Sequence, residues 1–231
     1  MSDLFLCFDT STPTARVAVL DGGGETRFVV EATAERHAGH LLPLCAEALR
    51  AAGVTVAELA GIACGGGPGS FTGLRVGLAA AKGLALPTGI PLYVVPSLEA
   101  LALDILQAAP PAPGTAVPCL DAGKGEVYVA GYIADRERLV RETVVSARLT
   151  PAALADWLAP LPSPVLAGNG VARHQATLGR FVVAEVAGPT ALSVGRLALL
   201  QRARGEAADL ASAVPFYGRP PDITVKKTGA K

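Results

Sequence analysis

The 231-residue sequence predicts an α/β protein built from two similar halves. Short apolar strands alternate with helical segments along the chain. The pattern partly restarts beyond residue 109: the strand, turn, strand of "VPCLDAGKGEVYVAGYIAD" repeats the opening of the chain, each time with an acidic residue before the turn. Between the two runs lies "PPAPGTAVP", whose prolines suppress helix and favour extended chain. The expected halves are therefore residues 1–108 and 109–231.

Taken in order, "DLFLCFD" and "ARVAVLD" read as strands joined by the polar turn "TSTPT", and "TRFVVEAT" extends them into a meander. "HLLPLCAEALRAAG" has helical periodicity and a terminal glycine. "LAGIACGG" is a buried strand, Leu74 to Leu86 a second helix, "IPLYVVP" a strand, and "SLEALALDILQAA" a helix capped by Ser97. In the second half "RLVRETVVSARL" adds a third strand. "TPAALADWLAP" is a short helix with Thr150 as cap and Pro151 in its first position, and "PVLAGNGV" is a strand entering a glycine turn. The polar end, "YGRPPDITVKKTGAK", is expected to be loose.

Bulk properties narrow the function. Apolar residues make up 51% of the chain and mean hydropathy is +0.42, enough for a real core and against disorder. Twenty basic and twenty acidic residues cancel, so the broad positive surface that grips a phosphate backbone is missing and the chain alone should bind nucleic acid poorly. "MSDLFLCFDTS" lacks the basic flank and long apolar core of a secretory signal. The most apolar run, Val76 to Leu86, is broken by Lys82 and stopped by Pro87, short of the ~20 residues that span a bilayer. A cytoplasmic protein is expected. Cys7, Cys45, Cys64 and Cys119 are widely spaced in apolar surroundings, which favours reduced core thiols over disulfides or zinc.

The glycine-rich loop "GGGPGSFTG" leading into a helix suggests either a phosphate cradle or a close approach of backbones. Known phosphate templates fail: Gly73 is followed by Leu74 and Arg75 rather than by the lysine of a Walker A loop, no frame completes G-x-G-x-x-G, and Pro68 stands where a nucleophile elbow before Ser70 needs glycine. Ser70 or Thr72 can cap the helix, with Gly67 and Gly69 supplying backbone angles closed to other residues. The helices on either side have more than one apolar face. Leu41, Leu44, Cys45, Ala48 and Ala52 line one side of the first helix; Leu42, Ala46 and Leu49 line much of another. In the second, Gly73, Gly77 and Ala81 form a row of small residues four apart, Leu74, Leu78, Ala85 and Leu86 can pack on the sheet, and Arg75 and Lys82 share a side. The excess apolar surface is buried either under the second half of the chain or at a subunit interface.

The segment "GGGPGSFTGLRVGLAAAKGLAL" resembles the signature of the TsaB (YeaZ) family, and the resemblance extends through "CFDTSTPTARVAVL", "ERHAGHLLP", "LDAGKGEVYVA" and "VPFYGRPPDITVKK". It implies an α/β fold of the actin-like ATPase (ASKHA) type with two RNase H-like halves, each opening with a hairpin near a nucleotide cleft. It implies a part in making threonylcarbamoyl-adenosine on tRNAs that read codons starting with adenine. In that role the chain is a partner of the catalytic subunit TsaD, with the TsaE ATPase in the same complex, and a homodimer when alone. tRNA is met only through the complex. The resemblance places docking on the two apolar helices, at Leu41, Leu44, Cys45, Ala48, Gly73, Arg75, Gly77, Leu78 and Ala81, beside the motif loop Gly67, Pro68, Gly69, Ser70, Phe71 and Thr72.

By the same resemblance, Asp9, Thr10 and Ser11 stand where an actin-like ATPase has its first phosphate hairpin, and Asp121, Gly123 and Lys124 where it has its second. Ser11 and Pro13 replace the usual glycines of the first turn, so degenerate hairpins kept for folding are expected, with no cofactor required by this chain and any ATP or ADP at the complex interface. His37 and His40 are three apart where the catalytic relative's metal pair is four apart, and no third ligand is evident, so neither a metal nor a catalytic residue is expected. Gly218 replaces the leucine usual in relatives. Two other classes compete with the partner-subunit reading, a glycoprotease-like metallopeptidase and a small-molecule kinase of the same fold. Proteolysis needs an activated nucleophile or metal-bound water that the three scattered histidines do not assemble, and the chain is short for a kinase with a substrate domain.

Overall fold

The computed structural model describes residues 3–33, 39–108, 114–136 and 139–218. Two five-stranded sheets repeat one topology. The first contains β1 (Leu4–Asp9), β2 (Thr14–Asp21), β3 (Thr26–Thr33), β4 (Gly61–Gly65) and β5 (Leu92–Val95) in the order β3-β2-β1-β4-β5. The meander pairs antiparallel, whereas β4 and β5 join parallel to β1. The second sheet contains β6 (Ala116–Gly123), β7 (Glu126–Asp135), β8 (Leu139–Leu149), β9 (Val165–Ala167) and β10 (Val182–Val183), in the order β10-β9-β6-β7-β8 and with the same sense of pairing. The repeated strand, turn, strand openings are thus the central hairpins of two equivalent sheets. Central β1 is apolar and buried along nearly its whole length, as a strand covered on both faces must be, while edge strand β3 alternates between half-buried and exposed residues.

Helices α1 (Leu41–Ala52) and α2 (Phe71–Ala85) cover the outer face of the first sheet. Helices α4 (Pro151–Leu158), α5 (Asn169–Arg173) and α6 (Gln175–Leu178) cover the outer face of the second. Between the sheets lie α3 (Ser97–Ala108) and α7 (Ala191–Ala203), and they are exchanged: α3 packs on β6 and β7, and α7 on β1, β2, β4 and β5. The strands divide between β5 and β6, but each half sends its last helix onto the other half's sheet. One apolar core consequently runs from Phe5 and Leu20 through Leu101, Ile105 and Val194 to Leu120 and Tyr128. Asp104 fastens the crossing, accepting hydrogen bonds from Thr190 N (2.8 Å), Thr190 Oγ1 (2.7 Å) and Ser193 Oγ (2.7 Å) where α7 begins.

Local signals hold where a cap is short-range. α1 ends at Gly53 in the left-handed region, and α4 begins with Thr150 accepting from Ala153 N and proline in its first turn. Three boundaries differ from expectation. α2 starts at Phe71 rather than Leu74, because Ser70 accepts from Gly73 N at 3.2 Å and draws three more residues into the helix. Ser97 does not cap α3: Ala100 N donates to the Pro96 carbonyl, and the Ser97 hydroxyl is used elsewhere. The glycine turn after β9 continues as α5. Helix α7 was not legible in the pattern, since Ser193, Gly195 and Arg196 interrupt its apolar residues and its buried side is lined by small ones.

Candidate functional site

The first hairpin turn is closed by its own chain. Asp9, Thr10, Ser11 and Thr12 are all buried, with Asp9 only 1% exposed. Asp9 Oδ1 accepts from Ser11 N (2.7 Å) and Ser11 Oγ (2.6 Å), and Oδ2 accepts from Ser97 Oγ (2.9 Å), which itself accepts from Gly67 N (3.0 Å). Burial raises the Asp9 carboxyl above its ordinary range, against the pull of those donors and of Arg16. The Thr10 hydroxyl donates to the Gly73 carbonyl at 2.9 Å, and Ser70 N donates to the Ser11 carbonyl at 2.8 Å. A β-carbon on Gly69, which has φ +156°, would lie 2.5 Å from the Ser11 carbonyl oxygen. The motif loop therefore packs backbone against backbone on the turn where a phosphate would have to approach. This hairpin does not fit a nucleotide phosphate: both carboxylate oxygens are taken and the loop fills the approach.

The second hairpin is more open. Gly123, Lys124 and Gly125 take successive left-handed conformations, and Lys124 and Gly125 are exposed. Asp121 is engaged here too: Oδ1 accepts from Gly123 N (3.1 Å), Oδ2 pairs with Arg173 (3.0 Å), and its own N–H donates to Asn169 Oδ1 (3.0 Å). The structure thus brings Asp9, Thr10 and Ser11 together with the motif loop, and Asp121 with the start of α5. Asp9 is tied to Ser97, which follows β5, and Asp121 to Asn169 and Arg173, which follow β9. Ser97, Asn169 and Arg173 escape a sequence reading because the pairings span 88, 48 and 52 positions without a local pattern.

A C-terminal strap joins loop and second sheet. Phe216 N donates to the Gly66 carbonyl (2.8 Å), and Tyr128 Oη on β7 donates to the Tyr217 carbonyl (2.9 Å). The Tyr217 ring lies 4.9 Å from that of Phe71, over which Arg75 sits at 5.2 Å. Gly218 has φ +65°, and a β-carbon there would fall 2.5 Å from the Tyr128 ring, so leucine does not fit this position while Tyr128 keeps its place. The chain beyond Gly218, expected to be loose, lies outside the described residues.

The nine residues expected at a docking face mostly point inward. Leu41, Cys45, Ala48, Gly73, Gly77, Leu78 and Ala81 are buried within the chain, Leu44 is half-buried, and only Arg75 is exposed. The row of small residues meets the chain's own hairpin: a β-carbon on Gly77 would overlap Thr10 Oγ1. Leu86, expected on the sheet, is 72% exposed. The large apolar side chains exposed on the two helices and at the cap of α2 are Leu42, Phe71 and Leu86. His37 lies outside the described residues, and among those described no group of three His, Cys, Asp or Glu side chains could hold a metal. The four thiols are free and buried; burial pushes Cys45, Cys64 and Cys119 up to about 12 and raises Cys7 as well, which leaves them unreactive near neutral pH. No described helix is long and apolar enough to cross a membrane.

Residues 26–168 match the family described as TsaD, tRNA N6-adenosine threonylcarbamoyltransferase. The chain is 34% identical over 136 residues to a tRNA threonylcarbamoyladenosine biosynthesis protein TsaB of Haemophilus influenzae, covering 58% of this chain and 55% of that one. It is 29% identical over 226 residues to the protein of that name from Bacillus subtilis, covering 93% of each. The match thus spans little more than half of the first relative's length, and nearly all of the second's. A Pseudomonas aeruginosa crystal structure, described as an uncharacterized protein with similarity to peptidase YEAZ, superposes with TM-score 0.81 at 31% identity, over 95% of this chain and all of that one. The fold is α/β and actin-like, with two RNase H-like sheets.

Proposed function

The chain belongs to the TsaB (YeaZ) family, and from that premise we propose that it is a non-catalytic subunit in the synthesis of threonylcarbamoyl-adenosine on tRNAs reading codons that start with adenine. It works in the cytoplasm by binding and activating a TsaD-type catalytic subunit, together with a TsaE-type ATPase, and pairs with itself when that subunit is missing. The observation that carries the non-catalytic part is the state of Asp9. A carboxylate that is 1% exposed, accepts three hydrogen bonds from its own chain and lies behind the Gly69–Ser11 contact cannot hold a metal-bound phosphate. ATP or ADP accordingly has no place at this chain's first hairpin and belongs to the complex interface. The outward sides of α1 and α2, with Leu42, Phe71, Arg75 and Leu86, form the docking face, where apolar side chains left in water gain most from being covered. Zero formal charge supports contact with tRNA through the complex only.

Reconstitution tests this. The purified chain should turn over neither ATP nor peptides, and leaving it out should abolish modification by the TsaD-type and TsaE-type subunits. Asp121→Asn should leave the modification rate within about threefold of wild type. ATP turnover by the isolated chain would favour the kinase reading, and peptide hydrolysis the metallopeptidase reading. A loss of about 300-fold in Asp121→Asn with the complex intact, ~3.4 kcal/mol of barrier, would make the second hairpin catalytic and end the scaffold reading.

A further inference from the structure

Each sheet ends in two edge strands, and an edge strand with unpaired N–H and C=O groups templates pairing with another chain unless something blunts it. Three of the four edges carry such a device. β5 is covered by α7 and the chain that follows it: Ala208 N donates to the Leu92 carbonyl (2.7 Å) in an antiparallel bridge, and Gln201 Nε2 donates to the Val94 carbonyl (3.2 Å). β10 is only two residues long. β8 loses register with β7 twice, between Val129 and Gly131 and again before Tyr132, each time with one residue of β8 left over; such bulges bend an edge away from a new partner. β3 is blunted in none of these ways. It is eight residues long without proline or lysine, its ladder with β2 runs unbroken from Phe28 to Thr33, and among the described residues no strand pairs with its outer side.

The residues of β3 are also complementary to one another. Arg27, Val29 and Glu31 share its exposed face, with Val29 47% exposed, whereas Phe28, Val30 and Ala32 are half-buried on the other face. Two antiparallel copies related by a two-fold axis must set residues of one face opposite each other, so the register has to centre on a residue. Centred on Val29, Arg27 of each copy faces Glu31 of the other, Val29 faces Val29, and Phe28 faces Val30. Centred on Phe28, Glu25 falls opposite Glu31 and Arg27 opposite Val29; centred on Val30, Arg27 faces Thr33 and Glu31 faces Val29. Of these three registers only the first gives both charges an opposite partner. Within the chain Arg27 pairs with Asp21 (2.8 Å) and Glu31 with Arg16 (3.1 Å), yet both stay more than half exposed, and a guanidinium and a carboxylate each have hydrogen-bonding sites to spare. Symmetry of charge about an apolar centre is what a strand paired with itself needs, and a strand from a different protein would not call for it.

We propose that a second copy of this chain adds its β3 to this one, antiparallel about a two-fold axis at Val29, so that two five-stranded sheets join into one of ten strands. This rests on the reading that the chain pairs with itself, and it places that pairing on β3 rather than on the outward sides of α1 and α2. Sedimentation of the full chain from about 1 to 500 µM tests it, using wild type, Arg27→Glu, Glu31→Arg, and Leu42→Glu on α1. Wild type should be a dimer at the upper end. Either charge reversal sets like charges opposite each other twice per dimer and should weaken self-association about tenfold or more. An equimolar mixture of the two reversals has both pairs complementary again and should dimerise within about threefold of wild type, which a damaged fold could not do. Leu42→Glu should leave the dimer in place. A wild-type dimer that is lost in Leu42→Glu and kept in both reversals overturns the proposal while the self-pairing stands, on the helices. A wild-type monomer throughout overturns both; if the reversals then also lose the TsaD-type subunit, that subunit is the strand's partner. No recovery in the mixture overturns the register and with it the proposal.

Discussion

Gly77→Ala puts a single carbon where the chain has left no room. On α2 a β-carbon at this position overlaps Thr10 Oγ1, whereas Thr10 Cβ and Cγ2 are 3.6 and 3.7 Å away, so the conflict is with the hydroxyl alone. That hydroxyl is 0% exposed and donates to Gly73 O at 2.9 Å. Accommodating the methyl either strains the pair, at about 1–3 kcal/mol, or turns the hydroxyl away from its acceptor, at a similar cost. Alanine returns about 0.8–1 kcal/mol through its better helix propensity. The single variant should therefore be destabilised by about 0–2 kcal/mol. In a Thr10→Ala background, itself weakened by about 1 kcal/mol for the lost hydrogen bond, the same substitution meets no oxygen and should be neutral or stabilising by up to ~1 kcal/mol. Urea unfolding of the four proteins, read at constant m-value, gives the coupling energy, expected at about 2 kcal/mol. A cost that is the same in both backgrounds would mean that Gly77 is glycine for some reason other than Thr10, and the account of how α2 seats the hairpin would fail.

The other predictions concern the same framework. Gly69→Ala drives a β-carbon against a backbone oxygen, which cannot rotate away, and should cost about 3 kcal/mol, the upper end of overpacking penalties; a midpoint in urea within error of wild type would contradict the packed loop. Asp9 and Asp104 both hold their protons above the ordinary range because they are buried, so the native state binds more protons than the unfolded chain between about pH 4 and their folded values. Their contribution is complete below about pH 4 and is lost as pH rises through the folded values, so wild type minus Asp104→Asn stability should decline over that interval; half-buried Asp21 and exposed Glu58 and Asp209, all shifted downward, act oppositely but cancel in the difference. A flat difference would show that Asp104 is not strained by its burial. Gly218→Leu collides with Tyr128 and should release the strap, seen as faster proteolysis between residues 213 and 218 with a melting temperature close to wild type; unchanged cleavage would mean that the strap is held without Tyr128.

The sequence by itself determined the elements whose causes are local. Alternation of apolar and polar residues marks the strands, Gly53 and Thr150 mark helix ends, and the repeated acid-before-turn opening marks two equivalent sheets, because each signal acts within one turn or one strand of the residue that carries it. It also showed that the loop fits none of the known phosphate templates, since each failed on residue identity, while the close approach of backbones came from the resemblance. Which surfaces approach was not legible. Gly73, Gly77 and Ala81 read equally well as an outward row for another helix or an inward row for the chain's own turn, and only the position of Thr10, more than sixty residues away, decides for the inward one. Ser97 reads as a cap because serine before a helix usually is one, yet the tertiary structure offers its hydroxyl a buried carboxylate from β1 as a partner. The exchange of α3 and α7 between the sheets is invisible for the same reason: helical periodicity reports that a face is buried, but not against which sheet, and that choice is made by contacts between segments far apart in the chain.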